Sequence, residues 1–112
     1  MFDYIRDPAE IYKKSFATVR AESDFSGLSA EEADVAVRLI HACGMPAITD
    51  DLVFSYGSVR AGREALAAAA PVLVDANMVA AGIIPDRLPA ANDVICTLHA
   101  EGVREAASEK ST

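Results

Sequence analysis

Tryptophan is absent from this chain, and aromatic residues make up only 6% of it. A core built around large rings is therefore excluded. Ala, Val, Leu and Ile must fill the interior, and the abundant Ala allows helices to approach closely. Cysteine is scarce, with only Cys43 and Cys96 present. Two thiols are too few for a disulfide framework, which argues against a small secreted scaffold. Basic residues are outnumbered, 10 Lys and Arg against 17 Asp and Glu, for a net charge of −7. That balance argues against nucleic acid, whose binding rests on neutralising phosphates, and against an anionic membrane surface. It does not exclude an anionic small ligand, since a few local Arg and backbone N–H groups outweigh a distant field. Long apolar runs are missing as well. No segment approaches the roughly 18 apolar residues of a membrane span. The opening "MFDYIRDPAE" is charged and lacks the apolar stretch of a signal peptide. A cytoplasmic protein with reduced thiols is the expectation.

About half of the 112 residues are hydrophobic, which suits one small domain over 1–112, with 108–112 frayed. "DPAEIYKKSFATVRAE" predicts a helix, with Asp7 as N-cap, Pro8 in the first turn and Glu10 as a capping-box acid. Ile11, Phe16 and Val19 form its apolar stripe, with Ser15 beside it. "SAEEADVAVRLIHACG" predicts a second helix, opened by a Ser29–Glu32 capping box and stopped by Gly44 and Pro46. Val35, Leu39 and Ala42 are its expected core face. "VFS" reads as a short strand, "SVRAGREALAAAA" as a helix, "PVLVDA" as a strand and "NMVAAGI" as one or two helical turns. "PDRLPAAN" is a proline-punctuated loop. "DVICTLH" reads as a strand and "EGVREAASEK" as a final helix. Strands alternating with helices predict α/β class: a three-layer sandwich with a mainly parallel sheet. Ligands of such sheets gather at the C-terminal strand ends, which here places Ser55, Asp75, Asn77 and the loop after Thr97 near a site.

"RLIHACGM" is chemically the richest stretch. Arg38 and His41 stand three apart and share a helix face, and Asp34 can pair with Arg38 from one turn earlier. A histidine near a helix C-terminus is commonly structural, and spacing alone favours that reading. The sharper reading is a general acid or base beside a cationic anchor. His41, Cys43, Cys96 and His99 do not have the spacing of a zinc module, and His41 and Cys43 would diverge by about 200° on a helix. No metal is expected, and both cysteines read as small core residues. No G-x-S-x-G elbow occurs, and the glycine patterns are too weak for a phosphate loop. Arg87 and Asn92 share one loop. Spacing favours a plain turn with a helix-capping Asn over a clamp on a polar ligand.

Five blocks in order, "YIRDPAEIYKKSFATVRAE", "AVRLIHACGM", "DLVFS", "APVLVDANMVAAGI" and "RLPAANDVICTL", resemble the precorrin-8X methylmutase family of cobalamin biosynthesis. The resemblance runs to about Leu98. It implies a homodimeric α/β isomerase, without cofactor, acting on precorrin-8X. A methyl group would move from C-11 to C-12, giving hydrogenobyrinate or its cobalt-containing equivalent. The histidine of the family's R-x-x-H-A-C-G motif falls on His41, implied as the general acid. Arg38 and Ser15 are implied substrate contacts. Arg87 and Asn92 join them as candidate holders of the substrate's carboxylate arms.

The chain also departs from the family. Family members continue beyond it, so a truncated sheet with open edges is expected, to be covered by a dimer partner. The glycine usual before the loop asparagine is Ala91, which is strained if the position needs φ > 0. The alternative of a different class is a catalytically silent tetrapyrrole-binding or dimerisation module that lacks the second half of the site.

Overall fold

A computed structural model describes residues 4–110. The chain divides into two compact units between Arg60 and Ala61.

The first unit holds helices α1 (Pro8–Glu22) and α2 (Ala30–Cys43), followed by a 3₁₀ segment, Pro46–Asp51. Both helices start where the cap residues dictate. The Asp7 carboxylate accepts from the Ala9 N–H at 2.9 Å, and Pro8 opens the first turn. At α2 the Ser29 hydroxyl accepts from the Glu32 N–H, and the Glu32 carboxylate accepts from the Ser29 N–H. Gly44 ends α2 with φ of 69°, a left-handed turn that glycine adopts without steric cost. Between the helices, Asp24 accepts from the Ser26 backbone N–H. That bond, aided by the Ser26 side chain, holds the Asp24 carboxyl below the usual aspartate range.

Ser15 meets His41 while Arg20 meets Asp34, so α1 and α2 run antiparallel. Val19, Val37 and Ile40 are buried between them, and Phe16, Phe25 and Ile48 pack around this cluster. Ala33 and Ala36 complete the buried face of α2. Fully burying a side chain such as Ile40 or Val37 stabilises by about 1.5–3 kcal/mol. The core face expected from sequence is rotated. Leu39 is 40% exposed and Ala42 is also open, whereas Ala36, Val37 and Ile40 point inward. Nearly every position from 35 to 43 is apolar, so the pattern admits several phases and the partner helix chooses one. Asp34 likewise pairs with Arg20 at 2.6 Å rather than with Arg38. Both partners are about half exposed, so the pair contributes about 0.2–1 kcal/mol.

Helix α3 (Ser58–Ala67) crosses the division. The second unit continues with β1 (Val72–Val74), α4 (Asn77–Gly82), a 3₁₀ turn (Pro85–Arg87), β2 (Val94–Cys96) and α5 (Val103–Glu109). β1 and β2 pair in parallel, Val72 with Val94, Leu73 with Ile95 and Val74 with Cys96. α4 lies on both strands, which makes β1–α4–β2 a βαβ unit. Val72, Val74, Val94 and Cys96 are half-buried, while Leu73 and Ile95 stand open on the opposite face. The α/β class and the parallel pairing are as expected. Among the described residues, however, the sheet has only two strands. Residues 53–55, expected as a third, carry no regular structure. Val53 is 93% exposed, and among the described residues the ladder bonds join β1 and β2 alone.

α3 ends in a Schellman motif. The Ala70 N–H donates to the Ala65 carbonyl at 3.0 Å and the Ala69 N–H to the Leu66 carbonyl at 3.1 Å. Ala69 therefore takes φ of 62°, a conformation that glycine usually supplies.

Candidate functional site

Tyr12, Ser15 and Phe16 follow i, i+3, i+4 spacing and so share one face of α1. The antiparallel packing carries this face to the C-terminal turn of α2, where Arg38 and His41 project together. Ser15 Oγ and His41 Nδ1 lie 2.7 Å apart, a hydrogen bond whose direction is set by the imidazole tautomer. The Phe16 ring meets the imidazole edge-to-face at 5.2 Å between centroids, and Tyr12 lies tilted against it at 5.3 Å. The Arg38 guanidinium sits 5.4 Å from the centroid of the same Phe16 ring. Such cation–π contact is worth about 0.5–1 kcal/mol at exposed sites, enough to bias where a flexible side chain rests.

The result is a held imidazole that still faces solvent. Ser15 is half-buried, while Arg38 and His41 are exposed. A hydroxyl and two rings restrain the histidine, and a cation stands one turn away. That arrangement can move a proton and attract an anion on the same surface. A cleft of about 340 Å³, lined among others by Ser29, Glu32 and Tyr56, lies at the other end of α2. It is about 14 Å along the helix axis from His41 and takes no part in this cluster.

Tyr12 and Phe16 were not among the expected site residues, although their spacing around Ser15 carried the signal. Cys43, expected in the core, is exposed; Cys96 is half-buried and its thiol lies 3.4 Å from Asn77 Oδ1. Asp75 and Asn77 follow β1, and the Thr97 hydroxyl donates to the Val74 carbonyl at 3.4 Å.

Arg87 closes the second 3₁₀ turn and is exposed. Asn92, from the same loop, is buried at 7% exposure. Its Nδ2 donates to the carbonyls of Leu66 and Ala70, both at 2.8 Å, and its Oδ1 accepts from the Ala90 N–H. The side chain thus caps the C-terminal end of α3, with both amide hydrogens engaged. Ala91, just before it, has φ of 49°, so the position does require the left-handed region.

A profile of the precorrin-8X methylmutase family matches residues 10–112. A precorrin-8X methylmutase from Pseudomonas aeruginosa is 56% identical over 109 residues, covering 97% of this chain and 52% of that protein. One from a Sinorhizobium species is 57% identical over 97 residues, covering 87% of this chain and 46% of its own length. The crystal structure of precorrin-8x methyl mutase from Thermus thermophilus superposes with a TM-score of 0.78 at 35% identity, over 92% of this chain and 50% of that one. The chain therefore spans about half the length of the relatives it matches.

Proposed function

Because the chain belongs to the precorrin-8X methylmutase family, we propose that it carries the acid-bearing part of a site that isomerises precorrin-8X. In this reaction the bond from the migrating methyl to C-11 breaks and a bond to C-12 forms, giving hydrogenobyrinate or the cobalt-containing equivalent. No electrons enter or leave. His41 is the general acid: it lends a proton to the conjugated macrocycle, alters its electron demand and recovers a proton afterwards. A positioned acid contributes about 10² to 10⁴ in rate. Arg38 holds a carboxylate arm beside it. Arg87, exposed on its own loop, offers a further cation for carboxylate arms, while Asn92, its amide hydrogens engaged by Leu66 and Ala70, holds that loop rather than an arm. The assembly is a cytoplasmic homodimer.

The observation that supports this reading is the restrained yet open His41, sharing the Phe16 ring with the Arg38 guanidinium. A second reading has a specific observation behind it. Leu73 and Ile95 stand open on one face of the β1–β2 pair, which suits a tetrapyrrole-binding or dimerisation module without turnover.

A single-turnover absorbance assay decides between them. Stoichiometric precorrin-8X is mixed with the chain or with His41→Ala. Conversion by the wild type, with His41→Ala binding but slowed at least 100-fold, supports the acid. Binding without conversion by the wild type supports the silent module and ends the enzyme reading for this chain.

A further inference from the structure

The contact between Ser15 and His41 is short, joins two helices and falls on a particular ring nitrogen. We propose that Ser15 is a positioning residue: its Oγ accepts from Nδ1–H of His41, so that Nε2 is the only ring nitrogen that exchanges protons. This deepens the acid role given to His41 and rests on that reading for its kinetic consequence.

The direction of the bond follows from what an acid must do. In the charged imidazole both nitrogens carry hydrogen and both can only donate. Ser15 Oγ must then be the acceptor. Loss of the Nε2 proton to a substrate leaves the neutral ring with its hydrogen on Nδ1, still donating to Ser15. Nothing about the Ser15 contact has to change during transfer. The opposite arrangement, with the Ser15 hydroxyl donating to a bare Nδ1, would place the neutral ring's hydrogen on Nε2. Protonation would then require the hydroxyl to turn.

The rest of the cluster fits a positioning role. Ser15 stands between Tyr12 and Phe16 on one face of α1, and both rings touch the imidazole. The two rings restrain its tilt, and the serine oxygen fixes its rotation about the Cβ–Cγ bond. Ser15 is half-buried and the imidazole is exposed, so the serine oxygen lies on the protein side of the ring. The resemblance alone implied that Ser15 touches substrate. The geometry gives its oxygen a nearer partner.

The test needs no corrinoid. Nitrogen-15 NMR of the full chain, recorded at alkaline pH, distinguishes the two neutral tautomers of His41. Free histidine in water prefers hydrogen on Nε2, so dominant Nδ1–H at His41 is a distinctive signature. The expected result is Nδ1–H in the wild type, a shift towards Nε2–H in Ser15→Ala and recovery in Ser15→Thr. Dominant Nε2–H in the wild type, or a tautomer unmoved by Ser15→Ala, overturns the proposal. If Ser15→Ala fails to fold, the wild-type spectrum alone decides. With precorrin-8X, Ser15→Ala should lower kcat about 10- to 100-fold at nearly constant KM, the scale of one charge-assisted hydrogen bond. A rise in KM at constant kcat would return Ser15 to substrate binding. Failure of the chain to turn over at all would remove the acid reading but leave the tautomer result standing.

Discussion

Asn92 donates from Nδ2 to the carbonyl of Leu66, 26 residues earlier, at 2.8 Å. This bond, with its companion to Ala70, ties the loop before β2 to the end of α3. The amide adds a second donor to the Leu66 carbonyl, which also accepts from the Ala69 N–H, and supplies one to the Ala70 carbonyl just past the helix. It does so from a buried position, where an unmet polar group is costly.

Replacing Asn92 by Ala removes the side-chain donor from the half-buried Ala70 carbonyl, while the Leu66 carbonyl keeps the Ala69 N–H. Each unsatisfied group costs about 1–3 kcal/mol. Chemical denaturation of Asn92→Ala should show a loss of about 1–3 kcal/mol with an unchanged denaturant slope. Asn92→Asp, which keeps the shape and removes the donors, should fare no better. A loss below about 0.5 kcal/mol in both would show that these hydrogen bonds do not hold the loop.

Ala91 and Ala69 both occupy the left-handed region, at φ of 49° and 62°. Alanine there is disfavoured by roughly 1–2 kcal/mol, while glycine is not. Glycine also gains freedom in the unfolded chain, which offsets about 0.4–1 kcal/mol. Ala91→Gly and Ala69→Gly should each stabilise by about 0.5–1 kcal/mol, visible as a rise of a few degrees in melting temperature. Destabilisation by either change would contradict the backbone assignment at that position.

Leu73 and Ile95 are cross-strand partners on the open face of the β1–β2 pair, 68% and 45% exposed. Parallel strands are ordinarily covered on both faces. Leu73→Asp should leave stability within about 0.5 kcal/mol, as expected of a surface change. It should reduce binding of a hydrophobic dye and concentration-dependent association, measured by fluorescence and sedimentation. A large loss of stability instead would mean that Leu73 is packed in the folded chain.

The helix boundaries were legible because caps are local. Asp7 with Pro8, Ser29 with Glu32, and Gly44 each act within a turn of the residue they cap. The βαβ order was legible for the same reason: "PVLVDA" and "DVICTLH" are short apolar runs between turn residues. What stayed hidden depends on distant partners. The inward face of α2 could not be chosen while almost every residue from 35 to 43 was apolar. Asp34 had Arg38 in reach on its own helix, and only the antiparallel register brings Arg20 closer. His41 and Arg38 were recognisable as a pair from their spacing. The approach of Ser15 to Nδ1, and the two rings beside it, follow from how α1 lies on α2. For Asn92, the helix-capping role was open from the sequence; which helix end it caps was not. Ala91 was different again, since the glycine missing from the family pattern marked the position where a positive φ would bring strain, and φ there is 49°.

His41, Ser15, Tyr12, Phe16 and Arg38 all belong to the first unit, on two helices joined by one short turn. The geometry around the imidazole is thus encoded in a stretch of fewer than forty residues. Sequence changes in the second unit need not rewrite how the ring is held. Natural variation should then follow two separate rules, with Tyr12, Ser15, Phe16, Arg38 and His41 changing together or not at all, while β1, β2 and the Asn92 loop drift independently. A survey of related sequences in which Ser15 and His41 vary without correlation would speak against that division of labour.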